Sequence, residues 1–529
     1  MPASARPTLD SPASSDLLAP STQAERRRHL VRNLAKAEGK ASLGQFMTPE
    51  PIAKFMASLF LIRHGQEIRL LDPGAGVGSL SAALVEAICN RASSPSQITI
   101  AAFEIDTSLI DHLDATLTEC AETAALAGHH LHYEIHTEDF IVHAVNLAAP
   151  QLSSQARVFQ YFTHAILNPP YKKINTGSEH RQLLRRLGIE STNLYSAFVA
   201  LSLKLLAPQG QLVAITPRSF CNGPYFRRFR HLLVSEASFT HIHTFRSRDQ
   251  AFRDDTVLQE NVVFHLVKGA LPSDVTVSAS HGLDLADPTT RSTPYEQIIK
   301  PSDANSVIHI PTSDYEESVA RRLSSLPCSL HDVGIQVSTG PVVDFRLRPY
   351  LHSSPMPSTA PLLYAAHFSR GNVTWPGLNG RKPNSIDVSP QTVPWLMPTG
   401  HYTVTRRFTS KEERRRIVAS LFDPTCTQAQ LIGFENHLNV FHTGGKGLPP
   451  KLARGLCIFL NYTGLDTFFR LFNGHTQVNA SDLRSIHYPT RGQLEELGEA
   501  WPEGPLPGQD HLDNLVERAL FRDSPPLTG

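Results

Sequence analysis

Short apolar runs alternate with amphipathic segments along the first half of the chain. The runs at 68–71 and 164–167 have the length of buried strands, and apolar residues recur at helical spacing after them. Because strands and helices alternate, the pattern predicts a doubly wound α/β sheet. The predicted strands are 68–71, 98–103, 131–135, 164–167, 211–216, 241–245 and 261–267, the last two forming an antiparallel pair.

The second half of the chain has a less regular pattern. Strand-like runs at 333–337, 361–366 and 401–407 alternate with helices predicted at 411–421 and 448–459, which indicates a mixed α+β domain. A polar stretch with scattered prolines begins near residue 270 and marks a boundary. The predicted organisation is a disordered tail with a basic helix (1–40), an α/β domain (41–270), a linker (271–315) and an α+β domain (316–529).

The basic helix is predicted from a capping box. Thr22-Gln23-Ala24-Glu25 indicates a helix start, and the helix should run to about Ala37. A solvated helix face and a nucleic-acid contact fit its charge pattern equally well. Its basic residues are Arg26, Arg27, Arg28, Arg32 and Lys36.

Composition narrows the classes of function. Lys plus Arg and Asp plus Glu both number 49, so the formal net charge is zero. A neutral chain argues against non-specific coating of nucleic acid, although it is compatible with a local basic cleft. Six scattered cysteines without metal-like spacing indicate reduced thiols and a cytoplasmic location. The sequence shows no secretory signal and no apolar stretch of membrane-spanning length, so no membrane association is expected.

A glycine-rich turn follows the first predicted strand. Asp72-Pro73-Gly74-Ala75-Gly76-Val77-Gly78 leads into the next helix, as in the nucleotide-binding corner of a doubly wound sheet. Glycine lets the backbone approach a ligand, and the helix N–H groups face its anionic end. The dinucleotide pattern G-x-G-x-x-G fails in both registers, because Ser79 and Ser81 stand where its third glycine would be. The turn therefore does not indicate a pyrophosphate ligand.

Acidic residues follow the next two strands. Glu104 ends the second strand, where a carboxylate can accept hydrogen bonds from both ribose hydroxyls; a solvated strand-end acid is the alternative. Asp139 could accept a hydrogen bond from an adenine amino group, and Phe140 could cover the ring. Upstream, the segment from Gly44 to Pro49 precedes a helix and suggests a loop whose backbone approaches a ligand.

The chain is organised around Asn168-Pro169-Pro170-Tyr171, which follows the strand 164–167. Each proline fixes φ and removes a backbone N–H, so the segment is a stiff elbow. It presents an amide, a carbonyl and an aromatic ring together. An exocyclic amino group on a base needs two acceptors for its N–H bonds and a flat face for stacking. An ordinary proline-rich turn is the alternative interpretation.

Other residues suit nucleic-acid contacts by their chemistry alone. Phe252 lies in a polar loop and is either a core residue or an exposed stacking face. Arg406 and Arg407 begin a basic cluster, and amide side chains are frequent at 434–439 and 473–479. Asn and Gln can pair with base edges, and Arg binds guanine or phosphate, although these residues are also common in ordinary loops.

The order of these motifs resembles that of the gamma-class DNA N6-adenine methyltransferases of type II restriction–modification systems. Segment 45–49 looks like the family's N-terminal cofactor motif, the glycine turn like motif I, Glu104-Ile105-Asp106 like motif II and Asp139-Phe140 like motif III. Asn168-Pro169-Pro170-Tyr171 matches motif IV, and Phe252 lies where motif VIII has an aromatic residue. The family usually has Ala-Cys where this chain has Gly74-Ala75. The similarity covers about residues 44–268, and residues 475–483 are similar to sequences in the family's target-recognition domains.

The resemblance implies a class I S-adenosylmethionine-dependent methyltransferase fold, with a Rossmann-like mixed sheet and a C-terminal target-recognition domain. It implies methyl transfer from S-adenosylmethionine to N6 of a flipped-out adenine in double-stranded DNA, without a metal ion. A monomer is expected, with a cognate restriction endonuclease as a functional partner only. The implied residues are Thr48, Asp72, Gly74, Gly76, Gly78, Glu104, Ile105, Asp139 and Phe140 for the cofactor; Asn168, Pro169, Pro170 and Tyr171 for catalysis; Tyr171 and Phe252 for stacking on the target base; and Arg406, Arg407, Lys446, His475, Gln477 and Asn479 for DNA.

Alternative functions stay open at this level. The same elbow occurs in protein-glutamine and RNA methyltransferases, which are generally shorter and lack such a C-terminal domain. A non-catalytic DNA-binding protein could use the same scaffold. A fused restriction enzyme needs a nuclease domain, and only about forty residues precede the first motif. The length and C-terminal sequence resemble those of relatives that recognise CTCGAG, so this is the expected target.

Overall fold

The computed structural model describes residues 19–37, 47–63, 65–91, 97–148, 161–245, 260–280, 282, 285, 287–377, 382–410, 412–474 and 476–522. These residues form two compact units. The first comprises the described residues of Met1–Pro217 and His231–Thr289, and the second comprises those of Arg218–Arg230 and Thr290–Gly529.

The first unit is built on one large mixed sheet. Its strands are β1 (Ile68–Pro73), β2 (Gln97–Phe103), β3 (His130–His136), β4 (Phe162–Leu167), β5 (Leu206–Pro217), β6 (Ala237–Phe245), β7 (Asn261–Lys268) and β8 (Val275–Ser280). A ninth strand, β9 (Thr289–Thr293), begins at the last residue of this unit, and the order in the sheet is β3-β2-β1-β4-β5-β7-β6-β8-β9. Strands β1 to β5 run parallel to one another. Strand β7 is antiparallel to both β5 and β6, and β8 is parallel to β6.

Helices cover this sheet. They are α1 (Pro20–Ala37), α2 (Glu50–Ser58), α3 (Ser79–Cys89), α4 (Ile110–Leu126), α5 (Phe140–Ala148), α6 (Glu179–Arg186), α7 (Leu194–Leu205) and α8 (Arg227–Glu236), which crosses the unit boundary. Helices α1 to α4 share one apolar core with the strands. Helix α5 packs against α6 and α7. None of the helices in the described ranges is both long enough and apolar enough to cross a membrane.

The fold class predicted from the sequence is confirmed. All seven strands predicted for the first half are present, and the last two form the expected antiparallel pair. The largest differences are at strand starts: β5 begins at Leu206 and β6 at Ala237, earlier than predicted. Because the parallel strands end at the same edge of the sheet, the glycine turn and the elbow are brought together there.

The second unit contains two smaller sheets and a helical core. The strands of these two sheets are β10 (Gln336–Thr339), β11 (Leu351–His352), β12 (Thr359–Leu363), β13 (Phe368–Ser369), β14 (Asn372–Val373), β15 (Ser385–Asp387), β16 (Leu396–Pro398), β17 (Tyr402–Arg406), β18 (Ala419–Phe422), β19 (Leu431–Phe434) and β20 (Leu438–His442). One sheet has the order β10-β20-β17-β18-β14-β13, and the other has the order β11-β15-β12-β19-β16.

The helices of the second unit supply most of its core. They are α9 (Tyr295–Ile298), α10 (Asp314–Ser324), α11 (Pro450–Leu460), α12 (Thr463–Phe472), α13 (Ala480–Arg484), α14 (Arg491–Glu499) and α15 (Gln509–Leu520). Apolar residues from α10 to α15 pack with β10, β18 and β20 in one cluster. The predicted mixed α+β character of this half is therefore present.

The range 271–315, predicted as a linker, is not one. It contains β8, β9, α9 and the start of α10, and β8 pairs with β6 inside the large sheet. The prediction took the polar composition of this range as a sign of exposure. The serines of β8 are instead buried and hydrogen-bonded to histidines of β6. The ring nitrogens of His241 and His243 lie 2.7 and 2.8 Å from Ser278 Oγ, and His243 Nε2 lies 3.1 Å from Ser280 Oγ.

The helix predicted at 411–421 is also wrong. Residues 412–418 are not helical, and Ala419–Phe422 forms β18, which pairs with β17. Asp466 Oδ1 accepts hydrogen bonds from the backbone N–H groups of Arg416 and Ile417, at 2.7 and 2.8 Å. These tertiary bonds take the place of the helical ones, because a helix would use the same N–H groups internally.

Candidate functional site

The glycine turn between β1 and α3 is fixed to the end of β2. The backbone N–H groups of Gly74 and Ala75 both donate to the carbonyl oxygen of Phe103, at 2.8 and 2.9 Å. The N–H of Gly76 donates to Glu104 Oε2 at 2.8 Å. Gly74 and Gly76 have φ of +79° and +59°, which glycine adopts without the strain of a side chain. The turn is therefore rigid and presents backbone to the adjoining cleft.

Asp72 and Gly78, which the resemblance also assigns to the cofactor, lie behind the turn and do not line the cleft. Asp72 is fully buried and accepts a hydrogen bond from the Ser81 hydroxyl at 2.6 Å. Burial raises the pKa of Asp72 to about 7. Gly78 precedes α3 with φ +85°, and a Cβ there would lie 3.0 Å from Thr116 Cγ2. Both residues shape the turn from behind.

A cleft over this turn holds about 820 Å³ of empty space, part of it open to solvent. The cleft joins the glycine turn to the elbow, because residues of both line it. Of the predicted site residues, Thr48, Gly74, Gly76, Glu104, Ile105, Asp139, Phe140, Asn168 and Pro170 line this cleft.

Glu104 and Ile105 form one wall of the cleft. Glu104 is almost fully buried, and its two carboxylate oxygens accept hydrogen bonds from the N–H groups of Gly76 and Asp106, each at 2.8 Å. Burial raises the pKa of Glu104, although the backbone hydrogen bonds act in the opposite direction. Ile105 is an apolar side chain with 60% of its area exposed. An acceptor beside an exposed apolar side chain suits a ligand with hydroxyl groups and a flat apolar part.

Aromatic side chains form a second wall. The ring of Phe140 lies 5.2 Å from that of Phe103 and 4.9 Å from that of Phe198. Asp139 Oδ1 accepts hydrogen bonds from the N–H groups of Ile141 and Val142 at the start of α5, and Oδ2 lies 2.9 Å from His180 Nε2. Asp139 is therefore held in place at the edge of the cleft by α5 and α6.

The elbow follows β4 directly and contributes its amide to the cleft. Asn168 Nδ2 donates to Thr48 Oγ1 at 3.0 Å, and the Tyr171 hydroxyl donates to Asn168 Oδ1 at 3.2 Å. Tyr171 is half-buried, packs edge-on against Tyr195 at 6.2 Å, and has its pKa raised by burial. Pro169 and Tyr171 do not line the cleft, whereas Asn168 and Pro170 do. Phe252 lies outside the described residues.

Several cleft residues were not identified from the sequence. Phe198 lies in α7, and an apolar helix face in the sequence gives no sign of whether it covers the core or a cleft. Phe103 was predicted only as the end of a strand. The cleft residues beyond the predicted set are Met47, Ala75, Val77, Ser79, Leu80, Phe103, Leu109, Glu138 and Phe198.

One group of side chains near this cleft has ligand atoms suited to a metal ion. Ring nitrogens of His136 and His143 and a carboxylate oxygen of Glu138 lie within 4.8 Å of one another. His136 stacks on Phe103 at 4.5 Å, and Glu138 lines the cleft. The chemistry expected from the sequence uses no metal ion.

Comparison with known proteins identifies the family. The model of the Eco57I restriction-modification methylases matches residues 94–252. The type II methyltransferase M.BsuBI of Bacillus subtilis is 42% identical over 501 residues, which are 94% of this chain and 98% of that protein. M.PstI of Providencia stuartii is 42% identical over 485 residues, or 91% of this chain and 93% of that one.

The chain belongs to the type II methyltransferases of restriction–modification systems. It is accordingly a DNA methyltransferase. A solved structure of the type IIL restriction-modification enzyme MmeI in complex with DNA is similar in fold, with a TM-score of 0.51 and 11% identity over 96% of this chain and 75% of that one. The family resemblance inferred from the motifs is confirmed.

Helix α1 of this methyltransferase is packed into the first unit. Ala24 is fully buried in the core that α1 shares with α2, α3 and α4. Arg27 Nη1 donates to Glu119 Oε2 at 2.8 Å, and Arg28 Nη2 donates to Glu25 Oε1 at 2.7 Å. Of the two interpretations of this basic helix, these ion pairs favour a structural role for Arg27 and Arg28.

Three of the predicted DNA-contacting residues of the methyltransferase lie close together in the second unit. Arg407 Nη2 donates to Gln477 Oε1 at 3.3 Å. Arg406 is adjacent, with its guanidinium 5.9 Å from the ring of Phe368. The position of Arg406, Arg407 and Gln477 at the end of β17 is compatible with the predicted contact with DNA.

The other predicted DNA contacts lie elsewhere or have local roles. Asn479 caps α13, where its side chain and its N–H both donate to Asp482 Oδ2, at 3.2 and 3.0 Å. Lys446 follows the end of β20, and this end of β20 pairs with the start of β17. Arg407 follows the end of β17, so Lys446 and Arg407 lie at opposite ends of β17. His475 lies outside the described residues.

Proposed function

We propose that this methyltransferase transfers the methyl group of S-adenosylmethionine to N6 of an adenine flipped out of duplex DNA. The observation that carries the proposal is the single cleft lined by both the glycine turn and the elbow amide of Asn168. A methyl donor and a methyl acceptor must be held side by side, and positioning of this kind supplies much of the rate.

The residues of the cleft suit S-adenosylmethionine. Glu104 offers carboxylate oxygens for the two ribose hydroxyls, and Ile105 with Phe140 offers apolar surface for the adenine ring. The backbone of Gly74 and Gly76 leaves room for close approach, since neither carries a Cβ. Asp139, at the edge of the cleft, would accept a hydrogen bond from the adenine amino group. Bound in this cleft, S-adenosylmethionine would supply an electrophilic methyl group on its sulfonium.

The elbow would activate the target amine. The lone pair of an adenine amino nitrogen is delocalised into the ring, so the nitrogen is a poor nucleophile. Asn168 Oδ1 and the Pro169 carbonyl would accept its two N–H bonds, which shifts the nitrogen toward sp³ geometry and localises the lone pair. The hydrogen bonds from Asn168 Nδ2 to Thr48 and from Tyr171 to Asn168 Oδ1 orient the amide for that role.

The target base must leave the duplex to reach this cleft. We propose that Tyr171 and Phe252 stack on the flipped adenine, as the sequence resemblance implies. Stacking on an aromatic side chain contributes about 1–3 kcal/mol per base, which offsets the few kcal/mol that unstacking costs.

A methyl-transfer assay tests the reaction. The purified protein is given S-adenosylmethionine with a tritiated methyl group and, in parallel, duplex DNA, RNA and a protein mixture. We expect label in DNA alone, and mass spectrometry of the digested DNA should identify N6-methyladenine. Label in RNA or in protein glutamine would support the alternative methyltransferases, N4-methylcytosine would overturn the base assignment, and binding without label would support a non-catalytic DNA-binding protein.

Asn168→Ala tests the elbow. We expect cofactor affinity to stay within a few-fold and methyl transfer to fall by about 10²–10³-fold, the usual cost of removing a transition-state hydrogen-bond partner. Asn175→Ala is the matched control, because Asn175 is an exposed asparagine seven residues downstream. Undiminished transfer by Asn168→Ala, or equal loss in the control, would contradict the mechanism.

The biological role is tested in cells. We propose that the protein acts as a cytoplasmic monomer and protects host DNA from a cognate restriction endonuclease. Methylation-aware sequencing of host DNA reads the target, and CTCGAG is the expected sequence; methylation at another sequence would replace it. Light scattering on the purified protein measures the oligomeric state, and a stable dimer would overturn the monomer.

A further inference from the structure

Three segments of the second unit meet at one surface. They are the end of β17, the connection between β19 and β20, and the residues before α13. The N–H of Arg407 donates to the carbonyl oxygen of His437 at 2.9 Å, and the N–H of Val478 donates to that of Arg407 at 2.7 Å. The guanidinium of Arg407 donates to the Asn436 carbonyl oxygen and to the Gln477 side chain, at 3.2 and 3.3 Å. We call Arg407, Phe408, Asn436, His437 and Gln477 the Phe408 surface.

The ring of Phe408 stands on this surface with 45% of its area exposed. The backbone is tied on both sides of Phe408, because Thr409 N–H also donates to the Thr476 carbonyl oxygen at 3.3 Å. The ring meets that of His437 edge-on at 4.8 Å, and the guanidinium of Arg407 lies 5.7 Å from its centre. A single exposed ring is ordinary. A ring held rigidly between a cation, an imidazole and amides has the composition of a base-stacking contact.

The acidic group closest to His437 is turned inward. Glu435 is fully buried, its Oε2 accepts the N–H of His437 at 3.0 Å, and its Oε1 lies 2.7 Å from His437 Nδ1. Burial raises the pKa of Glu435. Its carboxylate is therefore turned away from the exposed face, while the guanidinium of Arg407 lies beside the Phe408 ring. A guanidinium beside a stacking ring complements a phosphate and its neighbouring base.

We propose that Phe408 stacks on a partly unstacked base of duplex DNA while Arg407 faces the neighbouring phosphate. The inference rests on the proposed function, since it takes duplex DNA as the substrate. It assigns to Phe408, whose ring packs edge-on against that of His437, a contact that the sequence motifs did not indicate. Because the backbone on both sides of Phe408 is already hydrogen-bonded, stacking would cost little backbone entropy on binding.

The test measures binding of fluorescent duplex DNA containing the target sequence, with the full chain, over a range of salt concentrations. We expect Phe408→Ala to weaken binding by about tenfold, as loss of one base stack does, and Phe408→Trp to retain most of the affinity. The slope of log affinity against log salt should not change in Phe408→Ala, because the ring carries no charge. In Arg407→Gln the slope should fall by about one, as for loss of one phosphate contact.

Phe345→Ala is the matched control. Phe345 is also an exposed phenylalanine of the second unit, at 61% exposure, and the guanidinium of Arg346 lies 5.5 Å from its ring. It is absent from the Phe408 surface, so the control should bind DNA like the wild type. Thermal melting of each variant confirms that the fold is intact.

The outcomes separate the two proposals. If the wild type binds duplex DNA and produces N6-methyladenine while Phe408→Ala binds within twofold of it, the stacking inference alone is overturned. An equal loss in Phe345→Ala would overturn it as well. A wild type that binds no duplex DNA would overturn both the stacking inference and the proposed function.

Discussion

Removal of the Thr48 hydroxyl distinguishes two roles that the structure permits for Thr48, which are contact with the cofactor and positioning of Asn168. Thr48 lines the cleft, and its Oγ1 accepts the hydrogen bond from Asn168 Nδ2 at 3.0 Å. Thr48→Val keeps the branched shape and deletes the acceptor. Thr48→Ser keeps the hydroxyl and deletes a methyl group.

The magnitude follows from the burial of the pair. Thr48 is buried and Asn168 is half-buried, so water replaces the lost bond poorly. A hydrogen bond between neutral groups contributes about 0.5–1.5 kcal/mol net. With a tenfold rate change for each 1.36 kcal/mol, Thr48→Val should slow methyl transfer by about 2- to 13-fold if the free energy of the bond is expressed only in the transition state.

The assay is single-turnover methyl transfer with cofactor and DNA both saturating, together with calorimetric titration of S-adenosylmethionine. We expect the rate constant to fall in Thr48→Val while the cofactor Kd changes by less than about threefold. Thr48→Ser should recover most of the rate. The split between rate and affinity is informative because a merely structural defect would lower both and reduce the melting temperature.

The opposite split would refute the reasoning. If Thr48→Val weakens cofactor binding and leaves the saturated rate constant unchanged, then Thr48 contacts the cofactor and does not position Asn168.

Two further predictions concern the region behind the glycine turn. Burial raises the pKa of Asp72 to about 7, so the folded protein holds a proton that the unfolded chain loses near pH 4. The free energy of unfolding should therefore fall between pH 4 and 7 at about 1.4 kcal/mol per pH unit relative to Asp72→Asn; parallel denaturation profiles of the two proteins would contradict this. Gly78→Ala should cost about 1–2 kcal/mol for its left-handed backbone and about 1–3 kcal/mol more for the contact with Thr116. Gly128→Ala, where φ is +83° and no atom lies within 4 Å of the new Cβ, should show the backbone cost alone in urea unfolding.

Local sequence determined the elements of the first unit and the identity of its motifs. The strands, the glycine turn and the Asn168 elbow each depend on neighbouring residues: apolar runs, glycines at positive φ, and two prolines that stop a strand. For this reason the doubly wound fold class and the ligand edge of the sheet were predictable, and most of the predicted cofactor residues line the cleft.

Long-range contacts decided the rest. Residues 412–418 are held out of a helix by Asp466, and the serines of β8 are buried because histidines of β6 bond to them. The bond between Thr48 and Asn168 joins residues that are 120 positions apart. Arg407, His437 and Gln477 meet only through the pairing of separate segments. No short stretch of the sequence contains both members of any of these pairs, so local sequence patterns do not reveal them. Only the folded chain shows which polar side chains face a ligand and which stabilise the protein.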